Sequence, residues 1–161
     1  MAPLIWINGP FGGGKTQTAY ELRRRLPGSV ICDPEHPGFG LHRMMPPGLR
    51  GDFQDLRSWR HGVREVLDLA LRGHDSGPVI APMTLVHGEY FEEIVGRLRE
   101  EGHTVHHFAL LAERATVLRR LRERGLVRGL RSCCPTPVGA EAAGASVSGV
   151  VVGCRRSAST P

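Results

Sequence analysis

Lysine is the scarcest charged residue in this chain: 20 of its 21 basic side chains are arginine, and the one lysine is Lys15. Cysteine is also sparse, at 4 in 161 residues, and Cys32, Cys133, Cys134 and Cys154 form neither a C-x-x-C pair nor a zinc-ligand spacing. That pattern argues against a structural zinc site and fits reduced thiols in the cytoplasm. No apolar run approaches the ~20 residues that span a bilayer. The stretch Pro3 to Ile7 is too short for a signal h-region and has no basic lead-in. Aromatic residues make up only 6% of the chain and do not interleave with the arginines. The net charge of +5 and pI of 9.6 therefore do not describe a nucleic-acid surface. Arg23, Arg24 and Arg25 close a predicted helix, where cations suit the dipole. The later arginines from Arg114 to Arg131 are better explained by a bound polyphosphate.

Glycine, by contrast, is abundant, at 21 residues, and the glycines of one stretch carry a mechanism. Gly9-Pro10-Phe11-Gly12-Gly13-Gly14-Lys15-Thr16 reads G-x-x-x-x-G-K-T, the phosphate-loop (Walker A) pattern. Leu4 to Asn8 before it suits a buried strand, and Gln17 to Arg23 after it suits an opening helix. Such a loop aims backbone N–H groups and the helix dipole at a phosphate. The predicted nucleotide contacts are Gly9, Phe11, Gly12, Gly13, Gly14, Lys15, Thr16 and Gln17. Lys15 reaches the β- and γ-phosphates, and the Thr16 hydroxyl holds Mg2+. A lone lysine in an arginine-rich chain marks a place where a compact ammonium is needed and a guanidinium fork does not fit.

The remaining chain alternates strands and helices. Ser29 to Asp33 reads as a second strand, 34–52 as a long loop rich in proline and glycine, and Phe53 to Leu71 as a helix. Val79 to Met83 reads as a third strand, Tyr90 to Leu98 as a helix face closed by Gly102, His103 to Leu111 as a fourth strand, and Glu113 to Arg124 as a fourth helix. This order predicts an α/β fold of the P-loop kinase type: a parallel sheet with helices on both faces. Nucleotide and substrate then sit at the C-terminal strand ends, where Asn8, Asp33 and Met83-Thr84 crowd one edge.

Asp33, at the end of the second strand, is the leading catalytic candidate: it can accept the proton of an acceptor hydroxyl or hold Mg2+ through water. Asp-Pro is also a common turn opener. Glu35 is the second choice. The end of the third strand reads Ala81-Pro82-Met83-Thr84, without the metal-binding acid expected there. Arg119, Arg120, Arg122 and Arg124 fall where a phosphate-clamping lid is placed, or else form a solvated face with Glu123. Phe39, Phe53 and Trp59 could stack a base, although core packing is the commoner fate of such aromatics. Arg57, Arg60 and Thr84 complete the substrate candidates. His103, His106 and His107 alternate across a strand and do not converge on a metal.

Together these stretches resemble the tunicamycin resistance protein family. The likeness rests on Ile5-Trp6-Ile7-Asn8-Gly9, Phe11-Gly12, Gly14 to Ala19, Asp33-Pro34-Glu35, Asp52-Phe53-Gln54 and Trp59-Arg60. Pro82-Met83-Thr84, Val86-His87, Glu89-Tyr90-Phe91, Gly96 to Arg99, Val105 to Phe108 and Leu118 to Arg122 extend it over about 3–124. The resemblance implies a nucleoside- or shikimate-kinase-like P-loop nucleoside triphosphate hydrolase fold, ATP and Mg2+ as cofactors, and a nucleoside-like antibiotic as small-molecule partner. That partner is either phosphorylated or only bound. A cytoplasmic monomer or homodimer is expected. Membrane association, which the family's amphipathic C-terminus would provide, finds no support in this tail. After Arg124 the likeness ends. Residues 132–161 contain no Leu, Ile, Met or aromatic residue, and Val147 to Val152 is their one strand-like run. The expected organisation is a nucleotide-binding domain at 1–131 and a low-complexity, poorly ordered tail at 132–161, its abrupt composition slightly favouring a change of reading frame near 125–131 over a natural tail.

Overall fold

The computed structural model describes residues 1–123 and 151–154. Its framework is a sheet ordered β2-β3-β1-β4-β5. The strands are β1 (Leu4–Asn8), β2 (Val30–Ile31), β3 (Val79–Pro82), β4 (Val105–Leu111) and β5 (Val151–Cys154). The first four are parallel, with Leu4 opposite Val79 on one side and Val105 on the other.

Period-two alternation in β1 and β3 builds two cores. Leu4, Trp6, Val79 and Ala81 face one side and pack with Trp59, Val63, Leu67 and Leu71 of α3 (Arg57–Gly73). Ile7 and Ile80 face the other side and pack with Ala19 of α1 (Lys15–Arg25). Each of these large apolar side chains contributes about 1.5–3 kcal/mol through burial. Both faces of the sheet are therefore covered, as parallel strands require. Ile94 and Val95 of a π-helical stretch (Glu92–Gly96) and Leu98 of α5 (Arg97–Glu100) complete the α3 side; both segments run on without a break from α4 (Gly88–Phe91).

The structure corrects several expectations. Residues 34–52 are not a long loop: they form α2 (Glu35–Met44) and a 3-10 turn at Pro47–Leu49. Asp33 Oδ1 accepts the Glu35 N–H at 2.9 Å and starts the helix. Pro37 falls in the first turn, where its missing N–H costs nothing. Gly38 is required because a Cβ there would lie 2.6 Å from the Phe53 ring. The helix predicted from Phe53 starts at Arg57, after a 3-10 turn at Phe53–Asp55 that Asp52 caps through the Gln54 N–H.

β4 takes the position beside β1, across from β3. β5 instead adds at the edge, antiparallel to β4, with Phe108 opposite Cys154 and Leu111 opposite Val151. It begins later than the run at Val147. The rest of the predicted tail, and with it the expectations of poor order and of a shifted frame, lies outside the described residues. Helix α6 (Arg114–Glu123) follows β4; Arg124 also lies outside the described residues.

Candidate functional site

The turn between β1 and α1 is an anion cradle built from glycine geometry. Gly12 and Gly14 adopt φ of 78° and 98°, left-handed values that favour glycine. The Gly13 N–H donates to the Pro10 carbonyl at 2.9 Å, which closes the turn. Gly14 is the N-cap of α1, and the first turn of that helix carries no acid, so its positive end is left for a ligand.

Asn8 fixes where the cradle begins. Its Oδ1 accepts the Gly9 N–H at 2.8 Å and the Leu85 N–H at 3.1 Å, and its Nδ2 donates to the Leu85 carbonyl at 2.8 Å. Thr84 Oγ1 donates to the Gly9 carbonyl at 2.7 Å. Thr84, predicted as a substrate contact, thus braces the phosphate loop. Asn8 has the same positioning task, and its place on the strand-end edge was the only sequence signal for it.

Lys15 is 6% exposed, and its Nζ donates to the carbonyls of Gly9 at 3.1 Å and Pro10 at 3.2 Å. Desolvation by burial lowers its pKa below 10.5, while the nearby charges of Glu35 and Asp33 oppose that shift. The structure therefore brings Lys15, Asp33 and Glu35 into one electrostatic neighbourhood. Burial, reinforced by the Asp33 charge, raises the Glu35 pKa above 4.5. Thr16 and Gln17 are exposed at the start of α1, and Phe11 is exposed at the loop tip.

From the other side α6 closes on the cradle. Arg120 Nη1 donates to the Gly13 carbonyl at 3.3 Å, and a Cβ on Gly12 would meet Leu121 at 3.0 Å. Of the predicted clamp arginines, Arg120 reaches the loop, whereas Arg119 lies 3.9 Å from Glu123 on an exposed face.

Other candidates have local partners. Arg60 is buried, with Nε 2.7 Å from Glu93, Nη1 2.5 Å from the Gln54 carbonyl, and its guanidinium 4.2 Å from the centre of the Tyr90 ring. Arg57 is exposed and shares a polar depression with His61, Arg64 and Arg97, apart from the phosphate loop. Phe53 packs between Phe39 and Trp59, with ring centres 6.1 and 5.2 Å away. Trp59 Nε1 donates to the Pro34 carbonyl at 2.9 Å.

The three strand-region histidines do not converge. His103 bonds Asp68 at 2.6 Å, His107 packs on Phe91 at 4.7 Å, and His106 is exposed. Asp68, Glu101 and His103 do gather their ligand-type atoms within 4.8 Å of one another, a grouping the sequence reading missed. Asp68 is held by Arg72 and Glu101 by Arg64, so this is an ion-pair network tying α3 to the start of β4.

Among the described residues, no helix is long and apolar enough to cross a membrane. No curated protein matches the chain. The AAA domain family matches residues 4–142. Among solved structures, the tunicamycin resistance protein of Deinococcus radiodurans is 41% identical; the match covers 78% of this chain and 71% of that one, at a TM-score of 0.67. The APS kinase of Mycobacterium tuberculosis, solved with AMPPNP and APS, is 15% identical over 86% of this chain and 84% of that one, at a TM-score of 0.56. A gluconokinase from Sinorhizobium meliloti is 19% identical over 76% of this chain and 65% of that one, at a TM-score of 0.51. The last two likenesses concern the fold alone.

Proposed function

Since the chain belongs to the AAA domain family of P-loop proteins and, within it, to the tunicamycin resistance protein family, we propose that it binds ATP at Gly9–Thr16 and phosphorylates a nucleoside-like antibiotic such as tunicamycin, or a related small molecule. The observation that carries this reading is the buried Lys15 ammonium. It is desolvated, bonded among the described residues to two loop carbonyls, and set in a cradle whose N–H groups and helix end favour phosphate.

The residues present fit the groups such a reaction needs. Gly9, Gly12, Gly13 and Gly14 wrap the phosphates, Phe11 and Gln17 flank them, and Lys15 neutralises their charge. Thr16 and Asp33 supply oxygen donors suited to Mg2+, which when bound offsets phosphate charge. In the transfer step, Asp33 takes the proton of the acceptor hydroxyl while that oxygen bonds the γ-phosphorus. The bond from phosphorus to the β–γ bridging oxygen breaks, and ADP leaves. Arg120, and Arg124 beyond the described residues, are assigned to the charge that spreads over the moving phosphoryl group.

A second reading, ATP-dependent sequestration without transfer, is favoured by two observations. Asp33 Oδ1 already accepts the Glu35 N–H at the start of α2, and the end of β3 offers no carboxylate to share the metal. Incubation with γ-labelled ATP and tunicamycin separates the two. Label appearing on the drug supports transfer. Retention of both ligands by the protein with no labelled drug supports sequestration. Either way the protein works as a monomer or homodimer on small molecules in the cytoplasm.

A further inference from the structure

The first half of α3 borders a polar hollow that the proposed reaction does not use. It encloses about 730 Å³, within the size of small-molecule sites. Arg57, His61 and Arg64 line it from α3, at positions i, i+4 and i+7 that share one helix face. Glu93, Arg97 and Glu101 line it from the opposite wall, along the π-helical stretch, α5 and the turn that follows. The side of α3 that borders Asp33 is a different one, and only Ser58 touches both. No apolar side chain lines the hollow, which disfavours an alkyl chain or a nucleobase as its ligand.

Its two acids are already neutralised. Glu93 accepts from the buried Arg60 at 2.7 Å, and Glu101 pairs with Arg64. Arg97 has only Glu100, in a pair whose side chains are 66% and 65% exposed and which holds it weakly. Among the described residues, Arg57 and His61 have no acidic or hydrogen-bonding partner. The uncompensated charge is therefore positive, and it comes from both walls. Arg57 is also misplaced for a helix on its own. It holds the first position of α3, at the positive end of the dipole, with no acid in that turn and no side chain capping it. An anion bound nearby satisfies the guanidinium and the helix end together.

We propose that this hollow binds a hydroxyl-bearing phosphomonoester of about the size of a sugar phosphate. Arg57 and Arg97 hold the phosphate oxygens from opposite walls, with His61 beside Arg57, because guanidinium forks match phosphate geometry. Glu93 and Glu101 keep lone pairs that accept from the ligand's hydroxyls. The inference rests on the charge and lining of the hollow and is independent of the nucleotide reading.

The test titrates glucose 6-phosphate into the protein by calorimetry at low salt, with glucose and sulfate as controls. Each titration is repeated in Lys15→Met, which disables the phosphate loop, so binding that survives there belongs to the hollow. Glucose 6-phosphate is expected to bind both proteins, sulfate about tenfold more weakly, and glucose negligibly. Arg57→Gln, and independently Arg97→Gln from the opposite wall, should weaken glucose 6-phosphate binding about tenfold, since each removes a charge-assisted contact. Both should leave ATP affinity unchanged. A merely structural Arg57 would make the ligand-free variant melt lower. Here Arg57→Gln should melt no lower than the wild type, and glucose 6-phosphate should raise the melting temperature of the wild type but not of the variant. No binding by Lys15→Met, or wild-type affinity in either arginine variant, overturns the proposal. So does sulfate binding as tightly as glucose 6-phosphate, which would mark a face that collects any anion. ATP binding is scored separately, so failure of the nucleotide reading is distinguishable from failure of the hollow.

Discussion

Replacing Lys15 by methionine separates what the lysine does for the fold from what it does for a ligand. Its ammonium is 6% exposed and held by two neutral carbonyls at 3.1 and 3.2 Å, without a direct ion pair among the described residues. Burying a charge on such terms is unfavourable, and the lowered pKa is the sign of it. Methionine fills nearly the same volume without the charge. Two charge-assisted hydrogen bonds of about 1.5–3 kcal/mol each offset most of a desolvation cost of several kcal/mol. The net expectation is a gain on the order of 1 kcal/mol, or a rise of about 2–5 °C in the melting temperature of the ligand-free protein. The sign also fixes the pH dependence. The folded pKa lies below the unfolded value of 10.5, so below the folded pKa both states are charged and the cost is fully present. As pH rises through the folded pKa towards 10.5 the cost disappears, and the advantage of the variant disappears with it. ATP binding should weaken by two orders of magnitude or more, because a buried charge-assisted contact to phosphate is lost. Calorimetric melting between pH 7 and 10, together with titration of a fluorescent ATP analogue, reads both effects. A folded variant that melts lower and binds ATP as the wild type does would refute the reasoning on both counts.

Three further substitutions test the surrounding residues. Asp33→Asn keeps an oxygen to accept the Glu35 N–H, so the fold and ATP binding should persist while transfer of γ-label falls at least a hundredfold; undiminished transfer removes Asp33 as the base. Arg60→Ala should destabilise by about 2–3 kcal/mol in urea unfolding, since Glu93 and the Gln54 carbonyl lose their buried partner. Its ATP affinity should not change, and a loss of binding without a loss of stability would restore Arg60 to the substrate side. For Glu35 the folded pKa is raised above the unfolded value of 4.5, so its charge costs stability above the folded pKa and nothing below 4.5. Glu35→Gln should therefore raise the melting temperature by a few degrees at pH 7 and leave it unchanged at pH 4; a gain at pH 4 alone would contradict that assignment.

Local physics made much of this protein legible in one dimension. The strand, glycine turn and helix around Lys15 depend on neighbours within a few residues, so Leu4–Asn8 and the start of α1 could be read directly. The apolar spacing of Trp59, Val63 and Leu67, and the parallel α/β order, were equally plain because burial imposes its period on the sequence. Tertiary contacts decided the rest. Helix α2 forms across a proline- and glycine-rich stretch because Asp33 accepts the Glu35 N–H at its start and Gly38 admits the Phe53 ring, a partner fifteen positions away that no local propensity reveals. Arg60 and Thr84 have the chemistry of ligand contacts, yet long-range partners draw one into an ion pair with Glu93 and the other onto the Gly9 carbonyl. Arg120 was one arginine among many until α6 folded back on the loop and brought it to Gly13. A periodic pattern records which face of an element is buried; which groups meet across that face depends on how separate elements pack, and the chain order does not carry that information.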